Sequence, residues 1–204
     1  MRSNGYSFPR PNRRLTWTLL TMGVLGALIF GLGSCFSRAD DPVETIDTVD
    51  RRVDEPSLLT NQQTDVQITV PANWVSAGDA LRGSADIYAS YPAEELYASV
   101  LSEGDAVLDQ FSLEDNAEQY RWLIEEEMGS AYEGATQTDV RQIDGSPAVQ
   151  YEIRGRVDGM SIVYLHTTVK GDSRYYQVVG WASADRYAEN KETLQTIIRS
   201  FQGT

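Results

Sequence analysis

Hydrophobic and polar positions fall into three regimes along the 204 residues. The first is a block. Between Arg14 and Cys35 no residue is charged, and Leu15 to Ser34 is a 20-residue apolar run led by Leu, Gly, Ile and Phe. A helix of that length, rising about 1.5 Å per residue, crosses a hydrocarbon core of about 30 Å. The second regime, residues 37–62, has no sustained apolar period. It is acidic, carries Pro42 and Pro56, and predicts a flexible linker reaching roughly 25 to 30 Å as a coil. The third, residues 63–204, alternates and punctuates like a folded domain.

Within that domain Val66 to Val70 alternates as a half-buried strand and stops at Pro71, which has no N–H for a ladder. Asp86 to Tyr91 and Tyr97 to Ser102 read as two further strands. A helix follows, with Ser112 as N-cap, Asp115 at its third position, and Leu113, Ala117, Tyr120, Ile124 and Met128 at three-to-four spacing before Gly129. Thr136–Ile143, Ala148–Val157, Met160–Lys170 and Arg174–Ala182 predict four strands joined at Asp144-Gly145, Asp158-Gly159 and Gly171-Asp172. Asp-Gly suits a type I′ hairpin and Gly-X a type II′. A two-residue loop at Asp158-Gly159 sets Ile153 opposite Tyr164 and Tyr151 opposite His166.

In the first strand of that hairpin Val149, Tyr151, Ile153 and Val157 oppose Gln150, Glu152, Arg154 and Arg156, which predicts one wet face. The next two strands are apolar on both faces, as central strands covered on both sides are. A second helix from Ser183 carries Tyr187, Leu194, Ile197, Ile198 and Phe201. The fold class is therefore α+β: a mainly antiparallel sheet sandwiched between helices (α/β/α), preceded by an N-terminal membrane-address helix. Residues 1–36 form the address, 37–62 the linker and 63–204 the domain.

Charge sharpens this division. The chain is acidic, 17 Lys plus Arg against 30 Asp plus Glu for a net −13, yet residues 1–36 hold only Arg2, Arg10, Arg13 and Arg14, a local +4 that leaves −17 for the rest. Arginines ahead of an apolar run keep its start in the cytoplasm and send the remainder of the chain across the membrane. Two anchors fit. Leu32-Gly33-Ser34-Cys35 resembles a lipobox, with Cys35 the lipidated residue, and the same run is long enough for an uncleaved transmembrane helix. Either delivers the domain to the periplasm, the cell exterior or a thylakoid lumen. A polyanion-repelling net charge excludes nucleic acid as partner.

The chemistry is sparse. One Cys and one His cannot build an internal disulfide or a zinc cage, and no nucleophile-elbow, Walker or His-Glu-x-x-His pattern occurs. No catalytic residue, metal ligand set or cofactor is expected. His166, the only histidine, reads as a hydrogen-bonded residue at a core edge. Glu125, Glu126 and Glu127 stand in the last helical turn, where the dipole favours bases, which makes them candidates for a basic partner or a divalent cation. Trp122 lies off the apolar stripe and is a candidate interface anchor, whereas Trp74 and Trp181 read as core.

Three short motifs add a resemblance. Ile68-Thr69-Val70-Pro71-Ala72-Asn73-Trp74, Ile143-Asp144-Gly145-Ser146-Pro147-Ala148 and Ile198-Arg199-Ser200-Phe201 resemble, in order and spacing, the "P-x-x-W" start, "dG-x-pA" hairpin and terminal "SF" of the PsbP/DcrB-like domains. That resemblance implies an α/β/α sandwich without catalytic machinery. Its relatives serve as extrinsic photosystem II subunits or assembly factors, as envelope lipoproteins, and as a binder of a nuclear small GTPase. Where some bind calcium or manganese through His and acids, this chain offers only His166.

The functional expectation is a membrane-tethered, extracytoplasmic, non-enzymatic interaction module, an accessory or assembly and maintenance factor for a membrane complex, photosystem II-like if the source is cyanobacterial. The alternative is a binder of a small apolar ligand or divalent cation in the envelope.

Overall fold

The structure, a computed structural model, describes residues 55–76, 85–104 and 111–203. The membrane-address run, Cys35 and most of the linker lie outside these residues. Among the described residues no helix is long and apolar enough to cross a membrane.

Among the described residues eleven strands and two long helices occur in chain order. They are β1 (Ser57–Asn61), β2 (Val66–Val70), β3 (Val75–Ser76), β4 (Ile87–Tyr91), β5 (Leu96–Ser102), α1 (Leu113–Met128), β6 (Tyr132–Gln137), β7 (Gln142–Ile143), β8 (Ser146–Val157), β9 (Met160–Lys170), β10 (Tyr175–Ser183), α2 (Ala184–Arg199) and β11 (Gln202–Gly203). The main sheet runs β3-β4-β5-β10-β9-β8-β6, with β7 paired to β8 beside it, and a small sheet runs β1-β2-β11. Every described pairing is antiparallel.

Each face of the main sheet carries its own core. α1 brings Leu113, Ala117, Ile124 and Met128 onto Tyr151, Ile153, Tyr164, Val179 and Trp181. On the opposite face Tyr187, Leu194, Ile197 and Ile198 of α2 pack with the small sheet's Val66, Ile68 and Val70 over Val163, Leu165 and Val178. Two helices flanking a mostly antiparallel sheet make the α+β sandwich that the patterning predicts, and β9 and β10 are buried on both faces. The β8–β9 register is the expected one: Ile153 faces Tyr164 and Tyr151 faces His166. Asp158 and Gly159 both take positive φ, 50° and 82°, the type I′ combination, and so do Asp144 and Gly145 at 49° and 78°.

Five readings are corrected. Ser57–Asn61, assigned to the linker, is strand β1 and pairs with β2; it is an edge strand whose Leu58 points outward at 58% exposure, so it lacks an apolar signature. The strand expected over Thr136–Ile143 starts at Tyr132 and breaks after Gln137, because Thr138 turns to Gln150 and leaves Gln142–Ile143 to pair separately. Gly171-Asp172 is not a two-residue turn: Lys170 pairs with Tyr175 across a four-residue loop closed from Gly171 N–H to Arg174 O at 2.9 Å. Gln150, placed on a wet face, is fully buried against α2, exchanging hydrogen bonds with Gln195 and donating to Thr167. The fifth concerns His166.

Candidate functional site

α1 organises the chemistry on one face of the sheet. It begins where Ser112 Oγ accepts from the Asp115 N–H at 3.1 Å and donates to the Asp115 carboxylate at 2.8 Å. Its inner stripe is Leu113, Asn116, Ala117, Tyr120, Ile124 and Met128. Two of those six are polar, and both serve one carboxylate. Glu103, following β5 and 8% exposed, accepts from Asn116 Nδ2 at 2.9 Å, Tyr120 OH at 2.8 Å and Gln177 Nε2 at 3.1 Å. Gln177 also donates to Asn116 Oδ1 and accepts from the Thr168 hydroxyl. Burial, then the Glu103 charge and hydrogen bond, push the Tyr120 phenol far above its ordinary range. A buried carboxylate with three donors is stable; without them it would carry an uncompensated charge.

His166 stacks on Tyr120, 5.5 Å between ring centroids at 18°. The core-edge, hydrogen-bonded reading is corrected here: the ring is 1% exposed and neither nitrogen has a hydrogen-bond partner of acceptable geometry. Burial lowers its pKa to about 4, and the nearby Gln177 opposes that shift. Gln177's amide nitrogen already serves Glu103 and Asn116, so what it can still offer the ring is a second lone pair on the oxygen that accepts from Thr168, and the geometry found there falls short of a hydrogen bond. Sequence could place His166 on the α1 face by register, but its depth depends on Tyr120 arriving from a distant element.

The outer face of α1 is different. Trp122 is 38% exposed, the only exposed Trp, Tyr or Phe among the large exposed hydrophobics of the described residues. At about 100° per residue the Glu triplet fans around the helix instead of forming one patch. Glu125 is half-buried and paired with Arg121 at 2.9 Å. Glu126 stands one turn above Trp122 and is exposed. Glu127 swings toward the sheet side, where its charge raises the Tyr164 phenol behind the larger effect of burial. Two acids absent from the sequence-based candidates complete Trp122's surroundings: Glu118 one turn below and Asp115 two turns below. The signal was present in the helical phase, since i−4 and i+4 are neighbours of i. Arg121, the only base of α1, also pairs with Glu118 at 2.8 Å, and Glu118 accepts from Tyr151 OH at 2.6 Å.

A second cluster sits where β8 meets α2. Glu152 accepts from Tyr187 OH at 2.7 Å, Lys191 Nζ at 2.9 Å and Arg154 at 2.6 Å. Burial opposes ionisation there, but the bonds from Lys191, Tyr187 and Arg154 hold its pKa down to about 2. Arg154 and Lys191 flank the Tyr187 ring at 5.3 and 5.6 Å. Every partner is internal, so this cluster fastens helix to strand. A cavity of about 500 Å³ opens beside Thr60, Asn61, Gln62, Gln63, Ala85 and Asp86 and is lined by amides, hydroxyl and carboxylate. No three of His, Cys, Asp and Glu among the described residues gather as a metal site.

The chain matches no family model and no curated protein. Among solved structures it is similar to cyanobacterial PsbP (CyanoP) from Synechocystis, with 12% identity over 80% of this chain and all of that one, at a TM-score of 0.54. It also overlaps LpqN of Mycobacterium tuberculosis, described as involved in cell envelope biogenesis, with 13% identity over 74% of this chain and 91% of that one, at a TM-score of 0.47. The fold is that of PsbP, as the three motifs led us to expect; at 12% identity the likeness carries the fold alone.

Proposed function

We propose that this protein is a membrane-tethered, extracytoplasmic accessory module that works by binding a protein partner in a membrane complex, without catalysis of its own. The observation that carries this reading is the sealing of His166. The only side chain of ordinary near-neutral pKa in the chain is buried under Tyr120 and held neutral, so it has no route to a substrate. The acids with unusual surroundings, Glu103 and Glu152, are saturated by internal donors. Proton-transfer chemistry is thereby turned inward, and what α1 offers outward is an aromatic ring among carboxylates.

The tether supports the location. An arginine-led apolar run ending at Cys35 suits either a lipid anchor or an uncleaved helix, and the shared fold with cyanobacterial PsbP makes a thylakoid-lumenal or periplasmic setting the natural reading. Membranes carrying the full-length tagged protein, solubilised mildly at low salt, should yield a membrane-complex subunit in near-stoichiometric amount that raised salt releases. The intact mass of the mature chain from the same preparation distinguishes diacylated Cys35 from the uncut anchor. Recovery of the protein alone at low salt overturns the proposal.

A further inference from the structure

We propose that the outer face of α1 is the docking surface of this module, and that its occupant is a basic segment of a protein partner that lays a Lys or Arg side chain over the Trp122 indole. The inference rests on the binding reading above and names the surface and the partner's chemistry.

Two independent features converge on this face. The first is aromatic exposure. Trp74 and Trp181 are sealed at 3% and 2%, and the exposed aliphatic residues Leu58, Val75 and Met160 stand singly on other elements, whereas Trp122 projects from the middle of a rigid helix. Trp is the residue type most often found to anchor interfaces and the best partner for a cation over a ring. The second is local charge. α1 holds six acids against Arg121 alone, and Arg121 is occupied by Glu118 and Glu125. This is not the general acidity of the chain: α2, on the opposite face, has three acids and three bases. Glu118, Asp115 and Glu126 share the helical side of Trp122; Glu118 is paired with Arg121, so the negative charge that frames the ring is that of Asp115 and Glu126, for which no base of the same helix is left.

That pairing selects the occupant. An anionic bilayer or a nucleic acid is repelled by such a helix. A divalent cation would use the carboxylates and ignore the ring, and the carboxylates fan apart instead of converging. A segment presenting Arg or Lys uses both, the guanidinium on the indole and further bases on the flanking acids.

An aromatic photocrosslinking residue, which keeps a ring at position 122 of the full-length protein in its native cells, tests the surface directly, with position 189 on exposed α2 as the control. We expect crosslinks from 122, mapping to a partner segment of net positive charge. A labelled peptide of that segment should bind the full chain in detergent micelles, weaken at least about tenfold with Trp122→Ala, survive in Trp122→Phe, and weaken again with Glu126→Lys. Because Trp122 is solvent-facing, Trp122→Ala should melt like the parent, and Glu126→Lys reads the same surface should it not. Crosslinks at 189 and none at 122, an acidic or neutral mapped segment, or a peptide indifferent to both variants overturns the inference and leaves the binding reading intact. No crosslink at either position overturns both.

Discussion

His166 and Glu152 titrate in adjacent windows, and both make acid destabilising. Above pH 6.5 the His166 ring is neutral folded and unfolded. Between 6.5 and its folded value of about 4, the unfolded chain takes up a proton that the buried ring refuses, so stability falls with pH by about 3 kcal/mol in all. Glu152 is held at about 2 by Lys191, Tyr187 and Arg154 despite burial, so its contribution, modest at a partly exposed site, is lost only below about 4.5. Urea midpoints should therefore be level above pH 7 and decline from 6.5 downward. His166→Phe, which keeps a ring against Tyr120, should flatten the limb between 6.5 and 4; an unchanged slope would remove His166 as its cause. Glu103 makes a different kind of claim. Glu103→Leu strands the donors of Asn116, Tyr120 and Gln177 in the core, and the expected loss is about 2 to 4 kcal/mol by chemical denaturation. A loss under 1 kcal/mol would mean that water reaches the cluster.

At the scale of elements, what was legible depended on how local the determinant is. α1 could be read to its caps because Ser112, Asp115 and the three-to-four stripe lie within the helix itself. The β8–β9 register followed from Asp158-Gly159 alone, since a type I′ turn leaves no freedom in pairing. β1 was not legible: its exposed Leu58 and Thr60 alternate with half-buried neighbours, and its pairing is decided by β2. Gln150 looked wet for the same reason, because Gln195 lies 45 residues on. The candidate surface divides likewise. Trp122's outward direction follows from helical phase, whereas the commitment of Arg121 to Glu118 and Glu125 needs coordinates. Helix-to-sheet packing also has a hidden requirement at Gly155 of β8, where an added Cβ would collide with Met128 Sδ and come within 2.9 Å of the Ala131 carbonyl. Gly155→Ala should cost about 1 to 3 kcal/mol and loosen the C-terminal end of α1, seen as faster amide exchange at Glu125 to Met128. Unchanged exchange there would show that Met128 can swing aside.

Across the whole molecule, the motifs that carry the family likeness turn out to be closures. Trp74 turns back on Pro71 through a 3.0 Å N–H bond and is buried on the α2 side; the Asp144-Gly145 hairpin joins β7 to β8; Ser200 Oγ accepts from the Thr69 N–H at 2.8 Å, with Phe201 packed on Tyr176 at 5.1 Å. All of them seal the fold and none lies on the outer face of α1, so a likeness built on them transmits architecture and leaves partner choice free. The acid of α1 and the balance of α2 give the domain one strongly negative side, independent of those motifs.

The small sheet has a mechanical meaning. β1 enters at Ser57 opposite Val70, and β11 leaves at Gly203 opposite Val66, so the two strands flank β2 with their outer ends at its opposite ends, and a pull on both ends of the chain runs along the strands and loads the hydrogen bonds of the small sheet together. Strands loaded in shear share the strain across their rungs, where a pairing pulled from its open end gives way one rung at a time. Optical tweezers gripping both chain ends should record the small sheet giving way in one abrupt event; a series of short, reversible extensions at low force would contradict this. Pulled by its two ends, the protein would then behave as a clasp, the small sheet holding until its rungs fail together and only then passing the load to the sandwich that carries Trp122.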